Sequence, residues 1–245
     1  MGLEIGSVSP EEIAVSVVAE MIAVRRNADS DWRALSKSVF CWRVPAGAVA
    51  QVTCGLILAG GESRRMGSPK ALLEFQGETF LDRLIGLFSR RCSPVIAVLG
   101  AQHEIVRAGL RRVGEALLVQ NPDFRLGQLT SMQCGLRAVP ADADGVLFTL
   151  VDHPGVAPAT IDLLLDCSAP APLRIPRFGG RRGHPIWISR SLIPEFLALP
   201  AGSSAKELVT QHANGIAYLD VDDPGILADV DDPAAYASLL ARSGA

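Results

Sequence analysis

Eleven residues beginning at position 60 carry the densest chemical signal in the chain. Gly60-Gly61-Glu62-Ser63-Arg64-Arg65-Met66-Gly67-Ser68-Pro69-Lys70 sets three glycines, two arginines and a lysine directly after the apolar run 52–58. Glycines let successive backbone N–H groups turn toward one point, and the cationic side chains surround that point with fixed positive charge, which is a site for phosphate. The spacing fits neither the G-K-[ST] of a Walker A loop nor the G-x-G-x-x-G of a dinucleotide fold. A plain strand-to-helix turn would use glycine for geometry and arginine for solubility. It would not need all of these residues within one short segment.

A second cationic stretch lies further on. No acidic residue occurs between Asp166 and Glu195, whereas Arg174, Arg177, Arg181, Arg182 and Arg190 all do, so a basic surface is expected there. Planar guanidinium forks suit a terminal phosphate. Within it, the composition of Gly179-Gly180-Arg181-Arg182-Gly183-His184-Pro185 fits a solvated hairpin tip and a phosphate-gripping loop equally well. His184 is read as structural or as a substrate positioner, because a phosphate monoester is already an oxyanion at neutral pH.

The elements that must hold these groups alternate. Short apolar runs at 52–58, 94–99, 116–120 and 145–151 are separated by helical periods at 80–91, 104–112, 128–138 and 157–167. Such alternation predicts a mostly parallel sheet covered on both faces by right-handed crossovers, with ligands at the carboxyl ends of the strands. After Pro170 the spacing predicts strands near 173–178 and 184–188, helices near 191–198 and 204–213, a strand at 216–221 and a last helix from Pro233.

The segment Leu58-Ala59-Gly60-Gly61-Glu62-Ser63-Arg64-Arg65-Met66-Gly67-Ser68-Pro69-Lys70 resembles the signature L-A-x-G-x-S-x-R-M-G-x-x-K of MobA-like nucleotidyltransferases, a family that includes molybdenum cofactor guanylyl- and cytidylyltransferases. The likeness extends over roughly residues 52–240. It implies a Rossmann-like three-layer sandwich of the nucleotide-diphospho-sugar transferase type. It implies nucleotide binding by Leu58, Ala59, Gly60, Gly61 and Ser63, with Arg65 neutralising the leaving pyrophosphate and Lys70 stabilising the transferring α-phosphoryl group. Asn121, Gly127 and Ser131 resemble the box that meets base and ribose at a helix N-terminus. Asp152, in Val151-Asp152-His153-Pro154, stands where the family places a magnesium ligand, and a hard cation that keeps its waters while binding phosphates selects such a carboxylate. Capping of the helix that follows explains Asp152 as well. Asp229-Val230-Asp231-Asp232-Pro233 resembles the family's D-I-D-T-P box, which makes Asp231 or Asp229 the second metal ligand, with Asp232 a cap for the last helix. Gly183-His184-Pro185 resembles a box that faces the acceptor, so Arg181, Arg182 and His184 are implied acceptor contacts.

Nucleotide choice draws conflicting signals from the same likeness. Gly60 follows the L-A-G-G of guanylyltransferases, while Ser68-Pro69-Lys70-Ala71-Leu72-Leu73 lacks the D-K-G of that branch, Gly183-His184-Pro185 resembles the cytidylyl side and an XdhC-like tail goes with hydroxylases that the resemblance associates with the cytosine dinucleotide, so CTP is favoured over GTP. Residues Gly2–Gly6, Pro10–Ala14 and Glu20–Arg25 resemble the closing segment of XdhC-type proteins, which serve molybdenum hydroxylases. A capping box at Ser9–Glu12 opens a helix to about Arg25 with apolar residues over half its circumference, and Pro45–Ala48 reads as a linker. The expected organisation is an XdhC-like tail and linker over 1–50 and a nucleotidyltransferase domain over 51–245.

Composition sets the outer bounds. At about 150 residues per domain, 245 residues fit one α/β domain with an appendage as well as two small domains, and 49% hydrophobic with 20% charged residues exclude intrinsic disorder. A net charge of −3 gives no footprint for nucleic acid or an anionic membrane. The uncharged run 44–61 is broken by Pro45, Gln51 and four glycines, which argues against a membrane span. Acidic Glu4, Glu11 and Glu12 argue against a signal peptide, and five cysteines without metal spacing read as reduced thiols, so a cytoplasmic location is expected. The leading expectation is a Mg²⁺-dependent transfer of CMP from CTP to molybdopterin, with a molybdenum hydroxylase or an XdhC-type chaperone as partner. A sugar-phosphate or other small-phosphate nucleotidyltransferase, a GTP-using guanylyltransferase, and a non-catalytic cofactor chaperone are the alternatives.

Overall fold

The structure, a computed structural model, describes residues 52–61, 66–200 and 202–243. The expected helix at 10–25, the linker near Pro45, Cys41, Ser63 and Arg65 lie outside the described residues.

Seven consecutive buried residues form β1 (Thr53–Ala59). This strand pairs in parallel with β4 (Val95–Leu99) on one side and β6 (Gly145–Leu150) on the other. A strand buried on both faces has no polar side to show, which is why its sequence is continuously apolar. The sheet continues outward through β5 (Leu117–Gln120), parallel to β4, and in the other direction through β9 (Ile186–Ser189), β7 (Leu173–Phe178) and β10 (Ile216–Asp220), giving the order β10-β7-β9-β6-β1-β4-β5. β9 runs antiparallel to both of its neighbours, and β8 (Arg181–Arg182) folds back on β7 as a short hairpin. A separate two-stranded hairpin, β2 (Glu74–Phe75) with β3 (Glu78–Thr79), precedes the first helix.

Two apolar layers follow from the strand period of two. Ile57 points to one face with Ala97 and Leu147, where α1 (Phe80–Ser89) supplies Phe80, Leu84 and Phe88 and α4 (Pro158–Asp166) supplies Ile161 and Leu164. Leu56 and Leu58 point to the other face with Val98, against Met132 and Leu136 of α3 (Gln128–Arg137) and Phe196 of α5 (Ile193–Ala198). The remaining helices are α2 (His103–Gly109), α6 (Ala205–Gln211) and α7 (Pro233–Ser243). Each element expected from periodicity after residue 52 is present within a few residues of its predicted bounds. Asp232 accepts the Ala235 N–H at 2.8 Å and so caps α7. The described cysteines, Cys54, Cys92, Cys134 and Cys167, are free, and burial pushes the Cys54 and Cys92 thiols up to about 12. Among the described residues no helix is long and apolar enough to cross a membrane.

The candidate active site

Parallel pairing places the ends of β1 and β6 side by side: Leu58 is in register with Leu150, so the Gly60-Gly61 turn leaves the sheet next to Val151 and Asp152. These ends open into a cavity of about 490 Å³, lined by Leu58, Ala59, Gly60, Gly61, Lys70, Ser131, Asp152 and Asp231 among others. It lies at the carboxyl ends of parallel strands, where doubly wound sheets bind ligands.

Lys70 begins a short 3-10 turn (Lys70–Leu72) that carries its ammonium into the cavity. Its Nζ lies 2.5 Å from Asp231 Oδ1 and 3.4 Å from Asp152 Oδ2. Burial alone would lower the Lys70 pKa, but the hydrogen bond to Asp231 and the charges of both carboxylates outweigh it, so the ammonium is held above its ordinary range. Asp152, Asp229 and Asp231 form a cluster whose ligand oxygens all lie within 4.8 Å of one another. Burial raises the Asp152 carboxyl, yet the hydrogen bond and charge of His153 and the charge of Lys70 pull it below the usual value. Asp229 moves the opposite way, raised by burial and by its two carboxylate neighbours. Three carboxylates converging beside a lysine match the hard oxygen donor set that Mg²⁺ and Mn²⁺ select. The residues present therefore fit a divalent ion.

The cluster joins residues more than 75 positions apart, and backbone stitching brings them together. Val230 N–H donates to the Asp152 carbonyl at 3.1 Å. Upstream, the buried Asp223 accepts from Ala157 N–H at 2.9 Å, Thr160 Oγ1 at 2.6 Å and Gly225 N–H at 2.9 Å, which also caps the start of α4. Gly225 touches Gly155 so closely that a Cβ there would sit 2.1 Å from the Gly155 carbonyl oxygen. Gly225→Ala must part the two loops. It is expected to cost about 1–3 kcal/mol of stability and to weaken divalent-metal binding, as read by thermal unfolding and Mn²⁺ titration. Asp223 escaped the sequence reading, although Asp-Pro-Gly is a turn signal.

Asn121 is buried and does not face the cavity. Its Nδ2 donates to Thr130 Oγ1 at 3.0 Å and to Ser131 Oγ at 2.9 Å, while its Oδ1 accepts the Asp123 N–H. It thus fastens the loop that precedes α3. Gly127, at φ 115°, adopts the left-handed backbone that lets this loop enter α3, and Ser131 reaches the cavity wall from the first turn of that helix. Gln128, absent from the expected set, lines this cavity as well as a second one.

The second cavity, about 600 Å³, abuts the first at Gln128 and Leu150. Its walls are mainly apolar, with Met132, Phe148, Ile186 and Phe196, and Arg182, His184 and Lys206 bring polar groups. His184 is neutral at physiological pH, because burial and the adjacent His153 push it down to about 4. Arg181 is exposed in β8, beyond the Gly179-Gly180 turn. The broad basic surface expected over 174–190 does not form as such. Arg174 is buried over the Trp187 ring at 4.0 Å, Arg177 pairs with Asp220, and Arg190 donates to the Pro140 and Ala143 carbonyls. Of the two hairpin arginines, Arg182 lines the second cavity, with its guanidinium over the Tyr218 ring at 4.8 Å.

Residues 55–216 match the model of the MobA-like NTP transferase domain. The chain belongs to this family. Among MobA-like relatives, a protein named nicotine blue oxidoreductase from Paenarthrobacter nicotinovorans is 30% identical over 189 residues, 72% of this chain and 91% of that protein. The molybdenum cofactor cytidylyltransferase of Escherichia coli is 26% identical over 185 residues, covering 73% of this chain and 90% of the relative. Relatives named probable molybdenum cofactor guanylyltransferase also match, over about half the chain. A crystal structure of the Rv0371c protein of Mycobacterium tuberculosis in complex with manganese superposes with a TM-score of 0.65 at 27% identity, covering 78% of this chain and 99% of that one. The chain is thus a MobA-like member of a nucleotidyltransferase family with the corresponding three-layer fold.

Proposed function

We propose that the protein transfers CMP from CTP to molybdopterin, releasing pyrophosphate, in the maturation of a molybdenum hydroxylase. The observation that carries this reading is the convergence of Asp152, Asp229, Asp231 and Lys70 on the cavity beside Gly60-Gly61. In this reading the Gly60 and Gly61 amides and Ser63 cradle the phosphates, Arg65 neutralises the leaving pyrophosphate, and Lys70 meets the charge that builds on the α-phosphoryl group. Asp152 and Asp231, with Asp229 beside them, would hold a Mg²⁺ ion, which would supply charge neutralisation of the triphosphate. The acceptor occupies the adjoining apolar cavity with its phosphate toward Arg182, near His184, and Arg181 steers from outside. One of its phosphate oxygens attacks the α-phosphorus in line as the bond to pyrophosphate breaks. Positioning and charge neutralisation then supply most of the rate.

The manganese in the Rv0371c structure supports divalent-metal use. The cytidylyltransferase relative, matched over nearly its whole length, supports the acceptor class and CTP. Incubation with Mg²⁺, molybdopterin and each NTP in turn tests the reading, with pyrophosphate release and product mass as readouts. CTP is expected to be preferred. A methyl on Gly60 would stand 3.1 Å from Ser131 Oγ and narrow the cleft against a purine. Gly60→Ala is therefore expected to widen the CTP margin by about 10-fold, the low end of what one small group is worth in a pocket. A clear GTP preference in the wild type overturns the nucleotide assignment, and reduction of nicotine blue without pyrophosphate release overturns the transferase reading.

The tail over 1–50 is proposed to be dispensable for this chemistry, since each candidate site residue follows Val52. Removal of residues 1–45 is expected to leave specific activity within about 2-fold. A larger fall would assign the segment a part in the domain itself.

A further inference from the structure

His153 follows the metal-site carboxylate in sequence and is buried against it. Its Nδ1 lies 2.9 Å from Asp152 Oδ1, and its side chain is only 8% exposed. A carboxylate can only accept, so Nδ1 carries the proton of this bond. The other oxygen, Oδ2, is the one that lies toward Lys70. The His153 ring packs on His184 with centroids 4.8 Å apart, and His184 in turn packs edge-on against Phe148 and donates its backbone N–H to the Ile226 carbonyl. The imidazole is thus fixed from behind by groups in the wall of the second cavity.

The geometry points to His153 as a positioning residue: its Nδ1–H locks Asp152 in the one rotation that presents Oδ2 to the cation side of the cluster. Without that bond only the longer Lys70 contact to Oδ2, at 3.4 Å, would restrain the carboxylate about its terminal torsion, a soft motion for aspartate. Outer partners of this kind typically change metal affinity by 10–100-fold. The inference rests on the reading of Asp152 as a metal ligand. It adds a residue that the motif itself does not select, because only Asp152 of the segment carried an expected role.

Two substitutions separate the hydrogen bond from the packing. His153→Phe keeps a ring against His184 and removes the N–H, and His153→Asn keeps an amide N–H near the Nδ1 position and removes the ring. Mn²⁺ binding in the presence of CTP, followed by electron paramagnetic resonance, is the primary readout, with circular dichroism and thermal unfolding as checks on folding. The expected result is a 10- to 100-fold weaker Mn²⁺ dissociation constant for His153→Phe and recovery to within about 5-fold of wild type for His153→Asn. Nitrogen-15 spectra of the wild-type imidazole are expected to show the Nδ1–H tautomer. Wild-type Mn²⁺ affinity in His153→Phe, or equal losses in both folded variants, overturns the positioning role while leaving the metal site intact. Failure of the wild type to bind Mn²⁺ would instead overturn the metal reading on which it rests. Should His153→Phe not fold, an Nε2–H tautomer in the wild type is by itself sufficient to overturn the proposal.

Discussion

Asp152→Asn is expected to lower divalent-metal-dependent pyrophosphate release by at least about 10²-fold while leaving the fold intact, a loss of about 2.7 kcal/mol of transition-state stabilisation. An amide offers an oxygen of similar reach but no charge, so the cluster loses one of the negative charges that hold the ion against the triphosphate. The substitution also weakens the ion pair with Lys70 at 3.4 Å and the bond from His153 Nδ1 at 2.9 Å. Fold retention is expected because the Asp152 backbone, rather than its side chain, receives the Val230 N–H that fastens the C-terminal loop. Initial rates across a Mg²⁺ series measure the effect. Near-normal turnover would remove Asp152 from the metal site.

Lys70→Ala is expected to reduce kcat by about 10²- to 10³-fold with a smaller change in KM, the pattern of a group whose charge is needed most in the transition state. In the structure its ammonium bridges Asp152 and Asp231, so it also balances three neighbouring carboxylates. Its removal is therefore expected to tighten Mn²⁺ binding at the same time as turnover falls. A change confined to KM, with metal affinity unaltered, would make Lys70 a substrate-binding residue instead.

The parts of this molecule that were legible in its sequence are those in which neighbours along the chain decide the outcome. The strand at 53–59 and the turn after it are local: an apolar run, then glycines. The helix at 80–89 is equally local, with Thr79 capping and Asp82 in its first turn. Strand direction is not local. β9 reads like any other apolar run, and only its seat between β6 and β7 makes it antiparallel. The two-residue strands β2 and β3 are too short to show a period.

At the site the same division holds. The family likeness named Lys70 and Asp152 and left Asp231 and Asp229 as alternatives for the second ligand; that both converge on Asp152 goes with the backbone and Asp223 contacts that bring the C-terminal loop there, and those distances are tertiary. Charge counting along 166–195 overstated the basic surface for a related reason. Sequence gives the number of guanidinium groups and says nothing of the ring of Trp187 or the carboxylate of Asp220 that absorbs them. Asn121 has the opposite lesson: the motif marks it, and its contacts make it the fastener of the loop before α3 rather than part of the cavity wall.

Mn²⁺ binding with and without CTP in the wild type, Asp152→Asn and Asp231→Asn is the most direct measurement of whether the carboxylate cluster and Lys70 form a metal–triphosphate site. One bound Mn²⁺ whose affinity rises at least 10-fold with CTP, and whose binding is lost in both folded variants, is the predicted result. Equal Mn²⁺ binding in all three proteins, or binding indifferent to CTP, would contradict it.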